Sequence, residues 1–397
     1  MERNLRLYPW LHVGRSALFW LPVFVLYFSS TLSPAAVLRL EALYYVAVVG
    51  FEVPSGVLSD RLGRTLALRI AAVCWVAGSA VLAVGGGFWV LAAGQVLLAA
   101  GMAFQSGTDS ALLFDTLTVL ERPQELARRE AQAQSWGYAT LAISALIGGA
   151  AAGIDLRLGH ALSALGGLLA VAAAIGMTEP GGDRRRDAPL HQLRDLRAPL
   201  RDPVLRWTVA WGIALTVWIH VPHELLQPWL DTLVGGGKQP GYAATPVVSG
   251  VVLFVVMGLA SVAAPWGPRL AEVVGPRAAL IGAWALLVAV IGGMALAVHP
   301  ALLPVLVLRS VPGALARPVV AGIVHPRLPT SFRATWLSAE ALAGRLAFSG
   351  VLALCAFALG GHGSWTPHAM TALLWPAAAL GALVGGSLWW TFPRAAR

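Results

Sequence analysis

The chain has 397 residues, 57% of them hydrophobic and only 12% charged, and its mean hydropathy is +0.71. A soluble domain carries about 25% charged residues, so a soluble protein built on one large core is excluded and a chain that crosses a bilayer many times is indicated. The net charge of +9 does not mark a nucleic-acid binder either: every basic residue except Lys238 is an arginine, and these lie in short loops without an aromatic-interleaved basic face.

Twelve apolar runs are long enough to span, since a crossing takes about 20 residues. In order they are 9–31, 35–57, 65–84, 88–117, 130–153, 160–178, 204–230, 245–264, 277–298, 300–323, 334–358 and 367–392. Pro22, Pro54, Pro228, Pro304, Pro312 and Pro376 interrupt several of them, which packed membrane helices tolerate. No small-residue cleavage site follows the first run, so it is expected to remain as an uncleaved first span. Cys74 and Cys355 both lie inside runs and give no disulfide framework. The fold class expected is all-α, with twelve transmembrane helices.

Arginine placement sets the orientation. With the N-terminus inside, the inner segments hold Arg3, Arg6, Arg61, Arg64, Arg69, Arg122, Arg128, Arg129, the 184–186 run, Arg269, Arg277, Arg327 and Arg333, whereas the outer ones hold only Arg39, Arg157 and Lys238. Both termini are then cytoplasmic. The longest hydrophilic interval, 179–203, divides the chain into a bundle of six spans over 1–178, a cytoplasmic linker, and a second bundle of six over 204–397. The interval reads first as a plain linker; the alternative for His191 to Leu200 is a short amphipathic helix lying on the anionic inner leaflet.

Between spans 2 and 3 lies the stretch Gly56-Val57-Leu58-Ser59-Asp60-Arg61-Leu62-Gly63-Arg64. It reads as a tight turn in which Asp60 meets the free N–H groups and positive dipole end of the third span. Arg61 and Arg64 stand ready to pair with acids at neighbouring helix ends, Asp115 first among them. The interval 264–277, with Arg269-Leu270 and Gly275-Pro276-Arg277, echoes it at the corresponding place in the second half.

That stretch resembles the signature between helices 2 and 3 of the major facilitator superfamily, with Thr65 standing where the signature carries a base. Glu52-Val53-Pro54-Ser55-Gly56, Ser106 to Asp115, and Arg333-Ala334-Thr335-Trp336-Leu337-Ser338 are similar to stretches of one bacterial branch. The resemblance implies two pseudo-symmetric six-helix bundles, a central cavity lined by helices 1, 4, 7 and 10, and close approach at Gly56 and Gly63 to a helix of the other half. Gly56, Asp60, Arg61, Gly63, Arg64 and Asp115 would then form a gate latch. The helix 4 pattern of Arg, Gln and Gly is absent, since Gln95 and Gly101 have no partner arginine. The glycine–proline pattern of antiporters in helix 5 is represented only by Gly137, Gly148, Gly149 and Gly153.

Ionisable residues within spans are costly and usually functional. Span 1 holds no acid from Gly14 to Ser30, so ion coupling must use other residues. Asp109, among Gln105, Ser106, Thr108 and Ser110, is the first candidate, and Glu52 the second. In the second half His220 and Glu224 share one face of span 7, a spacing that reads better as a polar wall than as a zinc site because no third ligand is apparent. Arg309 can pair with Glu224 or meet an anionic solute, and Arg317 can pair with Glu340. Trp207, Trp211, Trp389 and Trp390 read as interfacial anchors.

No phosphate-binding loop, nucleophile elbow or metal-spaced Cys/His set occurs, so neither ATP nor a cofactor is called for. Two classes remain. One is a monomeric secondary transporter of a small organic solute, working by alternating access and coupled to protons or another ion. Its aromatic candidates Phe19, Phe24, Tyr27, Phe104 and Trp218 suit an amphipathic compound and tilt the expectation toward export. The other is a polytopic membrane enzyme or lipid-handling protein, which has no reason to carry the 56–64 signature.

Overall fold

The computed structural model describes residues 1–181, 199–235, 244–328, 333–360 and 363–393. The linker helix considered near His191, and Lys238, fall outside the described residues. All regular structure among the described residues is helical. The helices are α1 Glu2–Ser16, α2 Phe24–Ser29, α3 Pro34–Leu62, α4 Arg64–Val84, α5 Phe88–Gln105, α6 Thr108–Val119, α7 Leu126–Ala152, α8 Leu158–Gly176, α9 Pro203–Gly235, α10 Ala244–Ala263, α11 Trp266–Val274, α12 Pro276–Leu296, α13 Leu303–Leu306, α14 Val311–Val324, α15 Arg333–Ala358 and α16 Pro367–Trp390, with single 3-10 turns between some of them. Eleven helical stretches among the described residues are long and apolar enough to cross a membrane. The helix α3 is not one of the eleven, yet its 29 residues extend about 43 Å at 1.5 Å per residue, more than the hydrocarbon core requires. The molecule is an all-α, multi-pass membrane protein.

Contacts divide the chain into two units, Met1–Leu32 with Arg39–Pro189, and Ser33–Leu38 with Leu190–Arg397. In the first, α4 packs against α5 and α8, and α1 against α7 and α8. In the second, α12 packs against α16, and α9 against α15. The core of the second unit is built on Trp207, Trp211, Trp229 and Trp284. Trp207 and Trp211 are therefore not interfacial anchors. They are 5% and 2% exposed, and Trp207 donates its indole N–H to the Leu388 carbonyl at 3.1 Å. Trp389 and Trp390 do stay exposed.

Three expected spans are broken. The first is helical from Glu2 but stops at Ser16, and it resumes only through a 3-10 turn, Leu21–Val23, into α2. Small residues make room for the unwound backbone: a Cβ on Gly159 would stand 3.0 Å from the Cα of Trp20, and one on Gly148 would collide with the Phe19 carbonyl. The hydroxyl of Ser163 accepts from the Phe19 N–H at 2.9 Å, so a donor freed at membrane depth is met, as it must be. The fourth span breaks between α5 and α6 at Gly107, φ +71°. The tenth breaks between α13 and α14, beside Pro304 and Pro312.

The 56–64 stretch is also different from the turn expected. The helix α3 continues to Leu62, and the only turn residue is Gly63, at φ +108°. Asp60 is thus in the last turn of α3 rather than at the start of the next helix, and its side chain is outside the described residues. The acid at the start of α4 is Glu179, expected to open the linker. Its carboxylate accepts from the N–H groups of Arg64 and Thr65, each at 2.9 Å, and from the Thr65 hydroxyl at 2.7 Å. Next to it Asn4 binds the Thr178 carbonyl at 2.8 Å and the Thr178 N–H at 2.9 Å, and also reaches the Thr116 hydroxyl at 3.1 Å. Arg69 donates to the carbonyls of Ala174, Ile175 and Met177, closing the C-terminal end of α8. Residues 174–179 therefore tie α1, α4 and α8 together.

Candidate functional site

A cavity of about 580 Å³ lies within the first unit. Its site is assembled from α1, the α5–α6 break and α7. On α1, Tyr8, His12 and Arg15 fall at helical spacing on one face and all line the cavity. The break brings Gln105, Ser106, Gly107, Asp109 and Ser110 to the same wall. Gly107 is in the left-handed region that a residue with a Cβ enters only at a cost. The consequence is a new helix N-terminus inside the span, with Asp109 in its first turn, where the helix dipole favours a carboxylate.

Asp109 is 8% exposed, and a buried charge needs a partner. Its Oδ1 accepts from the Ser110 N–H at 2.8 Å, and its Oδ2 accepts from Arg15 at 3.1 Å. The His12 Nε2 stands 3.6 Å from that same oxygen, beyond hydrogen-bonding range, and neither ring nitrogen of His12 has a hydrogen-bond partner. The Ser110 hydroxyl donates to Glu130 of α7. From the other side of the break, Glu52 accepts from the Ser106 hydroxyl at 3.0 Å. Trp75, Tyr8 and Tyr138 supply the aromatic lining. The aromatic set expected from the sequence does not: Phe24 and Tyr27 are buried in packing, Phe19 and Phe104 are not lining residues, and Trp218 donates to the Ala377 carbonyl at 2.8 Å in the second unit.

Of the residues expected in the latch, Arg64 pairs with Asp115 and also donates to the Ala111 carbonyl. The pair links α4 to α6 within one unit. Arg61 is exposed on α3, and a Cβ on Gly56 would meet open space.

In the second unit His220 has Nδ1 2.6 Å from the Thr216 carbonyl and its ring 4.8 Å from that of Phe348. Glu224 and Arg309 are each 4% exposed, and the Glu224 carboxylate acts electrostatically on Arg309. None of these three lines the cavity of the first unit. Arg317 is exposed and does not pair with Glu340, one of whose carboxylate oxygens is buried without a hydrogen bond. Among the described residues no three His, Cys, Asp or Glu side chains gather as a metal site.

Sequence reasoning missed Arg15, His12, Tyr8, Glu130 and Glu179. It also missed Glu41, which is 5% exposed and accepts from the Gln95 amide at 2.7 Å. The signal for the first three was present, in the repeat of Tyr8, His12 and Arg15 along one helical face.

A family model described as the Major Facilitator Superfamily matches residues 13–350. No curated protein matches the sequence. Among solved structures, the nucleoside transporter NupG is 13% identical, with a TM-score of 0.75 over 99% of this chain and 99% of that one. A D-xylose-proton symporter is 14% identical, with a TM-score of 0.72 over 98% and 97%. A bacterial homolog of the human lysosomal transporter Spinster is 15% identical, with a TM-score of 0.66 over 98% and 96%. At these identities the likeness is one of fold.

Proposed function

The chain belongs to the major facilitator superfamily, a family of transporters and not of enzymes, and we propose that it is a proton-coupled secondary transporter of a small polar organic solute. It works as a monomer, by alternating access between bundles 1–178 and 204–397, with both termini and the Gly63 end of the first unit on the cytoplasmic side of the inner membrane. The observation that carries this reading is Asp109, a buried carboxylate held by Arg15 at 3.1 Å on the wall of a cavity of about 580 Å³. A carboxylate there can take up a proton and let go of Arg15, which changes the charge offered to the solute. Two states a few kcal/mol apart can be exchanged by such a change.

Arg15, Gln105, Asp109 and Glu130 on the wall support a solute that bears polar groups, beside an apolar body that Trp75, Tyr8 and Tyr138 would meet. The solved neighbours whose names mention nucleosides and D-xylose with protons carry solutes of that kind. Glu52 and Gln105 support the α5–α6 break and the cavity wall. Arg64 and Asp115 brace α6 from α4, and with Gly56, Asp60, Arg61 and Gly63 they serve the gate. His220, Glu224 and Arg309 form the polar counterpart in the second half.

The test is flux into proteoliposomes under an imposed pH gradient. Asp109→Asn is expected to lower gradient-driven flux at least about tenfold while leaving exchange without a gradient largely intact. Unchanged gradient-driven flux would refute Asp109 as the coupling group. The sign of accumulation relative to the gradient, in vesicles of known orientation, tells export from uptake.

A further inference from the structure

We infer that the solute held in the cavity of the first unit is an organic cation carrying a neutral oxygen acceptor, and that Glu130 is the group that binds its charge. The inference rests on the reading of this cavity as the transport site. The lining contains two carboxylates, Asp109 and Glu130, against one guanidinium, Arg15. Arg15 is already engaged by Asp109 at 3.1 Å. Glu130 accepts from the Ser110 hydroxyl and, among the described residues, has no ion pair. Its neighbours Arg128 and Arg129 are turned to Glu125, at 3.2 and 3.1 Å. One negative charge therefore faces the cavity without a counterion among the described residues.

Two further features point to the same class. Trp75, Tyr8 and Tyr138 place aromatic rings on the wall, and aromatic faces attract cations. Gln105 is 5% exposed, and its amide nitrogen is buried on this wall without a hydrogen-bond partner among the described residues. An orphaned buried donor is costly, and a carbonyl, ether or hydroxyl oxygen of the solute would satisfy it. An anion is disfavoured. It would meet both carboxylates, and the N–H of Ser110 at the new helix N-terminus is already taken by Asp109.

The experiment titrates the purified full-length protein in lipid nanodiscs, by calorimetry, with tyramine, tyrosol and 4-hydroxyphenylacetate. These share one phenol body and differ in carrying a positive, a zero and a negative charge. Tyramine is expected to bind at least about tenfold more tightly than tyrosol, the scale of one close charge interaction, and 4-hydroxyphenylacetate not to bind. Glu130→Gln should erase the preference, and Glu130→Asp should retain it. The wild-type ranking and Glu130→Asp carry the test if Glu130→Gln does not fold. Tyrosol or 4-hydroxyphenylacetate binding as well as tyramine, a preference that survives in Glu130→Gln, or no binding by any of the three overturns the inference. Charge-blind binding together with gradient-driven flux removes only the cation inference. Charge-selective binding without gradient-driven flux removes only the transport reading.

Discussion

The glycine turns at Gly63 and Gly275 are the same joint built twice and closed by different chemistry. Both residues have left-handed φ, +108° and +83°, and both lead into helices of 21 residues, α4 and α12. At Gly63 the following helix begins with Arg64 and Thr65, whose N–H groups need acceptors, and Glu179 supplies them. At Gly275 the following helix begins with Pro276, which has no N–H to satisfy. Arg277 instead lies over the Trp389 ring at 3.9 Å and donates to the Trp389 carbonyl at 2.6 Å. A change of one residue at the helix start removes one of the two backbone donors that Glu179 meets in the first half, and the two halves diverge from that point.

The largest effect belongs to the cap. Glu179→Ala orphans two N–H groups and a hydroxyl and should cost about 2–3 kcal/mol. Arg277→Ala, losing a half-buried cation–π contact and the bond to the Trp389 carbonyl, should cost about 1 kcal/mol. Thermal unfolding followed by tryptophan fluorescence compares them, and equal losses would break the contrast.

Next come the glycines themselves. A Cβ on Gly63 would lie 2.9 Å from the carboxyl carbon of Glu179, whereas one on Gly275 meets nothing. Gly275→Ala should therefore carry only the backbone penalty of about 1 kcal/mol, and Gly63→Ala about 2 kcal/mol because the cap is displaced as well. Gly63→Ala in a Glu179→Ala background should fall back toward the Gly275 value.

The smallest effect is in pH. Glu125, on the loop between α6 and α7, accepts from Arg122 at 2.7 Å and from Arg129 at 3.1 Å. Those bonds, Arg122 first, hold its carboxyl below the ordinary carboxylate range. A depressed acid stabilises the fold above its unfolded value, and that contribution is lost as pH falls through the lower folded value. Unfolding midpoints measured from neutral to acid pH should decline more steeply in wild type than in Glu125→Gln, by a small margin because the ion pairs lie at the surface and are screened by solvent.

Much of the fold was open to reading from the chain. Apolar runs announce spans because a bilayer admits little else, and the 56–64 stretch carries a family resemblance that the family match over 13–350 supports. The breaks were not legible. The chain stays apolar through Ala17–Trp20, and only the glycines of α7 and α8 packed against Phe19 and Trp20 show why the first helix unwinds; Gln105 to Ser110 is a polar interruption, but polarity alone marks a site as readily as a break. The site was half legible. Asp109 stood out as an acid in a span, but its partner Arg15 is 94 residues away in sequence, and no local spacing links them. Glu179 was misplaced for a related reason: its polar neighbours look like a linker, while its own carboxylate faces back into the bundle.

The ties made by residues 174–179 also set an order of assembly. Asn4 has no Thr178 to hold, α4 has no Glu179 at its start, and Arg69 has no Met177 carbonyl until the ribosome has passed those codons. Spans 1 and 3 must therefore wait in the membrane with these ends unfastened, and the end of the sixth fastens both within a few residues. Translational pausing just before Thr178 would expose that waiting state to quality control, and pausing a few codons after Glu179 emerges would not.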